Sequence, residues 1–233
     1  EIKIIMIDKL VVLGGGESGI GAALLAKNNN IEVFVSDSGK ISEHNKKLLL
    51  KNQISFEEGN HSMEKIIQAS EVVKSPGISD NKIIQHLKKK NIPIISEIEF
   101  AFRYTNGKIV GITGTNGKTT TTLLLGSILK KAGLNVVIAG NIGLSFSRAI
   151  SQNNYDYIVL ELSSFQLDGI RNFRPNIGIL LNITPDHLDR YENSLKNYTE
   201  SKFQLTVNQT NNDTLIYNQD DKLIKRIRTK AKK

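Results

Sequence analysis

The chain has 233 residues, no cysteine and a formal net charge of +8. Without cysteine it can hold neither a disulfide nor a thiolate metal site, and no apolar run approaches the ~20 residues that cross a bilayer. The basic excess is local: without Lys222, Lys225, Arg226, Arg228, Lys230, Lys232 and Lys233 the net charge is +1, which marks a basic tail on a nearly neutral body. That tail is expected to be a solvated helix face or a frayed end, and no nucleic-acid partner or membrane insertion is expected. The composition is compatible with a reducing cytoplasm.

Ile2 to Ile7 is apolar but short, and Asp8-Lys9 ends it, which does not suit a signal peptide; Met6 is a candidate natural start. Leu10-Val11-Val12-Leu13 predicts a buried strand. Gly14-Gly15-Gly16-Glu17-Ser18-Gly19 follows in the pattern G-x-G-x-x-G, and a helix is expected from Ile20 to Lys27. A second strand, Ile31 to Ser36, ends in Asp37. Two strands, a glycine turn and an acid after the second strand make a nucleotide-binding fingerprint, which alone would suggest an NAD enzyme. The alternation continues with strands at Ile54-Ser55-Phe56, Glu71 to Lys74 and Ile92 to Ile95. Helices are expected at Ser62 to Ala69 and from an Asp80 cap to about Lys90. Strands alternating with helices predict a parallel sheet covered on both faces, with ligands beyond the carboxyl ends of its strands. Ser18, Asp37, Ser75 and Gly77 fall at such ends. Ser96 to Tyr104 reads as a connecting helix, and the turn Thr105-Asn106-Gly107 as a domain boundary.

A new strand begins at Lys108 and runs into Gly111-Ile112-Thr113-Gly114-Thr115-Asn116-Gly117-Lys118-Thr119-Thr120. Strand, glycine turn and helix start form a phosphate cradle: backbone amides and the helix N-terminus face the anion, Lys118 reaches the terminal phosphates, and the Thr119 hydroxyl suits magnesium. The usual P-loop glycine is replaced by Ile112. A helix to about Ala132 is expected, with Gly133 at its end. Strands at Val136 to Ile138, Tyr155 to Leu160 and Ile177 to Leu181 end in three polar clusters on the P-loop edge. They are Gly140-Asn141-Ile142-Gly143, Glu161-Leu162-Ser163-Ser164-Phe165-Gln166-Leu167, and Asn182-Ile183-Thr184-Pro185-Asp186-His187-Leu188-Asp189-Arg190-Tyr191. Glu161, a carboxylate at a strand end beside a P-loop, suits a magnesium ion. Asp186-His187 alone would read as a helix cap and a surface histidine; beside the P-loop and Glu161, His187 becomes a candidate ligand for a second metal. A helix from about Ser194 to Val207 carries Tyr198 and Lys202, and Thr214 to Tyr217 is a final strand.

T-G-T-N-G-K-T-T, G-N-I-G, E-L-S-S-F-Q-L and N-I-T-P-D-H-L-D-R-Y, in that order, resemble the Mur ligase family, and within it the group adding D-glutamate to UDP-N-acetylmuramoyl-L-alanine. The resemblance covers residues 9 to 221. It implies an α/β chain, with a Rossmann-like parallel-sheet domain at 1–105 and part of a P-loop ATPase-like central domain at 106–233. It also implies a C-terminal amino-acid-binding domain beyond this sequence. Ser18, Asp37, Ser38, Ser75 and Gly77 would hold the uridine nucleotide in place of NAD. Asn141, Ser163, Gln166 and His187 would face the muramoyl-alanine end or the metals. Gly114, Thr115, Asn116, Gly117, Lys118, Thr119, Thr120 and Glu161 would serve ATP and Mg2+. Lys202 matches a lysine that becomes carbamylated and then suits a metal, and Lys118, His187 and Lys202 form the catalytic group. The implied protein is a cytoplasmic, monomeric ATP-dependent ligase of cell-wall precursor synthesis, acting through an acyl phosphate. This length of chain is expected to be inactive alone. The competing readings are a dehydrogenase, which leaves the P-loop idle, another P-loop ATPase or binding module, which leaves the first domain unexplained, and a sister ligase such as the folylpolyglutamate type.

Overall fold

A strand buried on both faces reads as an unbroken run of Val, Ile and Leu, and such runs need helical crossovers between them. The computed structural model describes residues 7–79 and 81–233, so Met6 and the expected Asp80 cap lie outside the described residues. The first part of the chain runs β1 (Lys9–Leu13), α1 (Glu17–Asn28), β2 (Glu32–Asp37), α2 (Glu43–Lys51), β3 (Ser55–Glu58), α3 (Met63–Ile66), β4 (Glu71–Lys74), α4 (Lys82–Lys89), β5 (Ile94–Ile95) and α5 (Glu97–Phe102). The second runs β6 (Lys108–Thr113), α6 (Lys118–Lys131), β7 (Val136–Gly140), α7 (Phe146–Gln152), β8 (Tyr157–Glu161), α8 (Ser164–Leu167), β9 (Ile177–Leu180), α9 (Leu195–Phe203) and β10 (Thr214–Tyr217). Short 3-10 turns lie at Leu188–Tyr191, Gln204–Thr206 and Ile224–Arg226. No helix among the described residues is long and apolar enough to cross a membrane.

Two compact units result: Glu1–Thr105 with Ser145–Asn153, and Asn106–Leu144 with Asn154–Lys233. The first holds a parallel sheet in the order β3-β2-β1-β4-β5. After Lys9 its central strand is apolar, with Leu10, Val11 and Val12 without exposure. The connections leave β1 in one direction through β2 and return on its other side at β4. The loops after β1 and β4 therefore flank a switch point, where doubly wound sheets bind ligands. The second unit holds a parallel sheet in the order β10-β9-β6-β8-β7, with the P-loop strand β6 at its centre. The glycine turn after β6 thus opens between the carboxyl ends of β8 and β9.

Several elements differ from the sequence reading. Helix α2 was not expected, because its charges hide a single buried contact, Leu49; Ser42 caps it by accepting from the Asn45 amide at 3.3 Å. Asn81 caps α4, its side chain accepting from the amides of Ile83 and Ile84. The helix expected at 62–69 is one turn, Met63–Ile66, and that expected at 194–207 gives way to a 3-10 turn after Phe203. Helix α7 was also missed. It is drawn from late in the sequence into the first unit, where it packs along α1.

The basic tail is neither frayed nor merely solvated. Ile224, Ile227 and Ala231 are buried in one cluster with Leu180, Tyr198 and Leu215. The Lys232 carbonyl accepts from the Leu215 amide at 2.7 Å, and the Lys232 amide donates to Asp213 O at 3.0 Å. Ile224, Ile227 and Ala231 turn inward, while Lys225, Arg226, Arg228 and Lys230 between them are exposed.

Candidate active site

In the second unit, the turn from β6 to α6 is built to leave a helix N-terminus bare. Gly117, the residue before α6, has φ +82, and no side chain caps the helix. A left-handed residue here suits glycine, and the uncapped turn presents amides to an anion. The loop is braced from the end of β9: the Thr115 amide donates to Asn182 O at 2.9 Å and the Asn116 amide to Asn182 Oδ1 at 2.8 Å. The Asn182 amide group returns a bond to Asn116 O at 2.9 Å, and Thr115 Oγ1 accepts from the Thr184 amide at 3.0 Å.

Three side chains from three elements meet beside this turn. Glu161, at the end of β8 and 1% exposed, accepts from Thr119 Oγ1 at 2.7 Å through Oε2 and from Asn141 Nδ2 at 2.9 Å through Oε1. Asn141 is set by Gly140, whose φ is +107 and on which a Cβ would collide with the Glu161 carbonyl. A buried carboxylate and a threonine hydroxyl are hard oxygen donors. That set fits magnesium, which takes one or two protein oxygens and completes its shell with water and phosphate. Among the described residues no three His, Asp or Glu side chains cluster to hold a metal.

Two lysine side chains share one carbonyl. Lys118 Nζ donates to Gly114 O at 2.9 Å and Thr115 O at 2.8 Å, and Lys202 Nζ donates to the same Gly114 O at 2.8 Å. Lys202 comes from the last turn of α9, is 1% exposed, and has its Nζ 4.6 Å from the centre of the Tyr198 ring. Burial and then the Lys118 charge lower its pKa to about 7, with Asp186 and Asp168 opposing. Tyr198 OH in turn lies 3.2 Å from Thr115 Oγ1.

The other expected residues are placed differently. Ser163 and Gln166 form a capping box on α8: Gln166 Oε1 accepts from both the amide and the hydroxyl of Ser163 at 3.0 Å. His187 has a left-handed backbone, a side chain 55% exposed, and its ring 5.4 Å from that of Phe165. Thr120 is exposed on the first turn of α6. Asn182 and Thr184, which brace the loop, were not singled out in the sequence; polar residues directly after an apolar strand on the P-loop edge were the available signal.

In the first unit, Asp37 closes on the glycine turn instead of standing free at the strand end. Its Oδ2 accepts from the Gly15 amide at 2.6 Å and its Oδ1 from the Gly39 amide at 2.7 Å. Asn45 Nδ2 donates to Gly15 O at 2.9 Å. Ser75 Oγ is buried and has no partner, and a Cβ on Gly14 would lie 2.5 Å from it. Ser18 is half-buried at the start of α1, while Ser38 and Gly77 are exposed. A cavity of about 410 Å³ lined by Lys9, Lys27, Phe34 and Lys65 lies at the amino ends of β1, β2 and β3, away from this turn.

Fold and site together define a P-loop α/β protein with a second, Rossmann-like unit. The Mur ligase middle domain family matches residues 112–233, and the MurD N-terminal domain family matches residues 9–84. The chain belongs to the Mur ligase family. It is 54% identical over 219 residues to the UDP-N-acetylmuramoylalanine--D-glutamate ligase of Bacteroides fragilis, a match covering 94% of this chain and 49% of that protein. It is 53% identical to the ligase of the same name from Porphyromonas gingivalis, over 93% of this chain and 48% of that one. The chain therefore spans about half the length of the curated relatives it matches. Among solved structures it resembles the UDP-N-acetylmuramate:L-alanyl-gamma-D-glutamyl-meso-diaminopimelate ligase from Neisseria, with TM-score 0.68, 18% identity, and 97% and 77% of the two chains covered. It also resembles UDP-N-acetylmuramate-alanine ligase from Thermotoga maritima, with TM-score 0.60, 24% identity, and 95% and 51% covered. At these identities the solved structures speak for the fold alone.

Proposed function

We propose that this chain supplies the nucleotide-handling part of a cytoplasmic, monomeric ATP-dependent ligase that joins D-glutamate to UDP-N-acetylmuramoyl-L-alanine. The observation that carries the reading is the meeting of Thr119, Glu161 and Asn141 beside an uncapped P-loop. The names of the half-matched relatives supply the substrate class. The amides of the 114–117 turn and Lys118 hold the β- and γ-phosphates of ATP. Thr119 and Glu161 would hold magnesium, which would neutralise phosphate charge. The muramoyl-alanine carboxylate attacks the γ-phosphorus as the bond to ADP breaks. The amine of D-glutamate then attacks the acyl carbon, and phosphate leaves. Phosphoryl transfer needs alignment and charge neutralisation from the protein more than covalent help.

Lys202 has a second part in this reading. Its ammonium first gives up a proton; the neutral amine then adds to carbon dioxide and releases a second proton, so a cation beside Lys118 becomes an anion suited to a metal. Its burial and its pKa of about 7 favour the neutral amine that this addition needs. In the first unit, Ser18, Asp37, Ser38, Ser75 and Gly77 would hold the uridine nucleotide, while Asn141, Ser163, Gln166 and His187 would face the muramoyl-alanine end or the metals.

Ligand-induced thermal shift tests the reading, because a ligand that binds only the folded state raises the melting temperature. UDP-N-acetylmuramoyl-L-alanine and ATP with magnesium should each stabilise the protein, and Lys118→Ala should remove the ATP shift alone. A shift with NAD and none with the uridine compound would favour the dehydrogenase reading instead.

A further inference from the structure

The glycine turn of the first unit carries an acid where a diphosphate would be repelled. Glu17 is the first residue of α1, and a helix N-terminus next to a glycine turn is the natural seat of a phosphate. Ser75 Oγ, buried without a partner against Gly14 in the same turn, is a polar atom that a ligand there could satisfy. A carboxylate at that helix start competes with the ligand for the same amides.

Glu17 is held elsewhere by α7, the helix inserted from late in the chain. Arg148 Nη1 lies 2.6 Å from Glu17 Oε2, and the Ser145 amide donates to Glu17 Oε1 at 3.1 Å. Both carboxylate oxygens are thus engaged by α7. Arg148 is largely buried, its side chain 17% exposed, so its charge is poorly screened. A second acid near Glu17 is Glu97, the first residue of α5, whose carboxylate accepts from the Ser147 amide of α7.

We propose that Glu17 and Arg148 are positioning residues for the nucleotide diphosphate: Arg148 neutralises Glu17 and turns it toward α7, which leaves the first amides of α1 to the phosphates. This rests on the proposal that the turn at Gly14 to Ser18 holds a nucleotide diphosphate. Without Arg148, an unpaired carboxylate stands beside the anion.

Titration calorimetry with uridine diphosphate, on the wild type, Arg148→Ala, Arg148→Lys, Glu17→Gln and the Glu17→Gln/Arg148→Ala pair, tests it. Arg148→Ala should bind roughly 5-fold to 10-fold more weakly, the size of a like charge at a helix terminus. Arg148→Lys should stay near wild type, which separates charge from folding. The double variant should recover to within about twofold of wild type, because the repelling charge is gone. The Arg148→Ala deficit should also shrink at high salt, which a merely structural defect would not do. Wild-type binding of Arg148→Ala, or a double variant as weak as Arg148→Ala, overturns the inference and leaves the nucleotide site standing. No binding of uridine diphosphate by the wild type overturns both.

Discussion

Lys202→Met isolates the buried amine beside the P-loop. An ordinary lysine titrates near 10.5, whereas folded Lys202 is brought to about 7 by burial first and by Lys118 second. Between those limits the unfolded chain holds a proton that the folded chain has lost, so stability rises with pH across that window. Below about pH 7 the cost of the buried charge is present in full. Raising the pH from about 7 to about 9 should relieve about 2 kcal/mol of it. Methionine keeps the length and apolar stem of the side chain but has no proton to lose. It also gives up the bond to Gly114 O, which costs about 1 kcal/mol at every pH. Thermal melts in carbon-dioxide-free buffer should show the wild type gaining about 4–8 °C relative to Lys202→Met over that pH step. Parallel pH dependence in the two proteins would refute the assignment of a low Lys202 pKa, and with it the physical basis for carbamylation.

Glu161→Gln keeps an acceptor for Thr119 but removes the charge, and should weaken magnesium-dependent ATP binding by about 10-fold to 100-fold; ATP titrations with and without magnesium check this, since metal-free binding should barely change. Glu97 is fully buried, and burial chiefly pushes its carboxyl up to about 7, with Glu17 adding to the rise. The folded state therefore holds an extra proton between about pH 4.5 and about pH 7, and about 2 kcal/mol of stability should be lost between about pH 5 and about pH 7.5; Glu97→Gln should flatten that slope in thermal melts. Gly140→Ala should destabilise by at least about 2 kcal/mol, because it forces a side chain into a left-handed residue against the Glu161 carbonyl; urea unfolding measures this, and an unchanged midpoint would contradict the contact.

Local patterns sufficed for the two parallel sheets and the phosphate turn. Strands such as Leu10 to Leu13 are apolar on both faces, so burial dictates their state wherever they lie. Gly117-Lys118-Thr119 after a buried strand has one common chemical use. Glu161, at the carboxyl end of its own strand, could be placed beside that turn because parallel strands carry their ends to one edge.

Other features depended on partners distant in sequence. Helix α7 was invisible because its partner, α1, lies more than 100 residues earlier, and packing against α1 and α5 defines its buried face. The tail read as solvent-exposed because charge dominates its composition, yet Ile224 and Ile227 find the cluster around Leu215 only once β10 is in place. Asp37 stands at the end of β2 as its place in the sequence suggests, and only the fold brings the Gly15 amide to 2.6 Å from its Oδ2. Residue order thus marked the strands and the glycine turn after β6. Which carboxylate is paired, and which lysine loses its proton, was set by desolvation and neighbouring charge that exist only after folding.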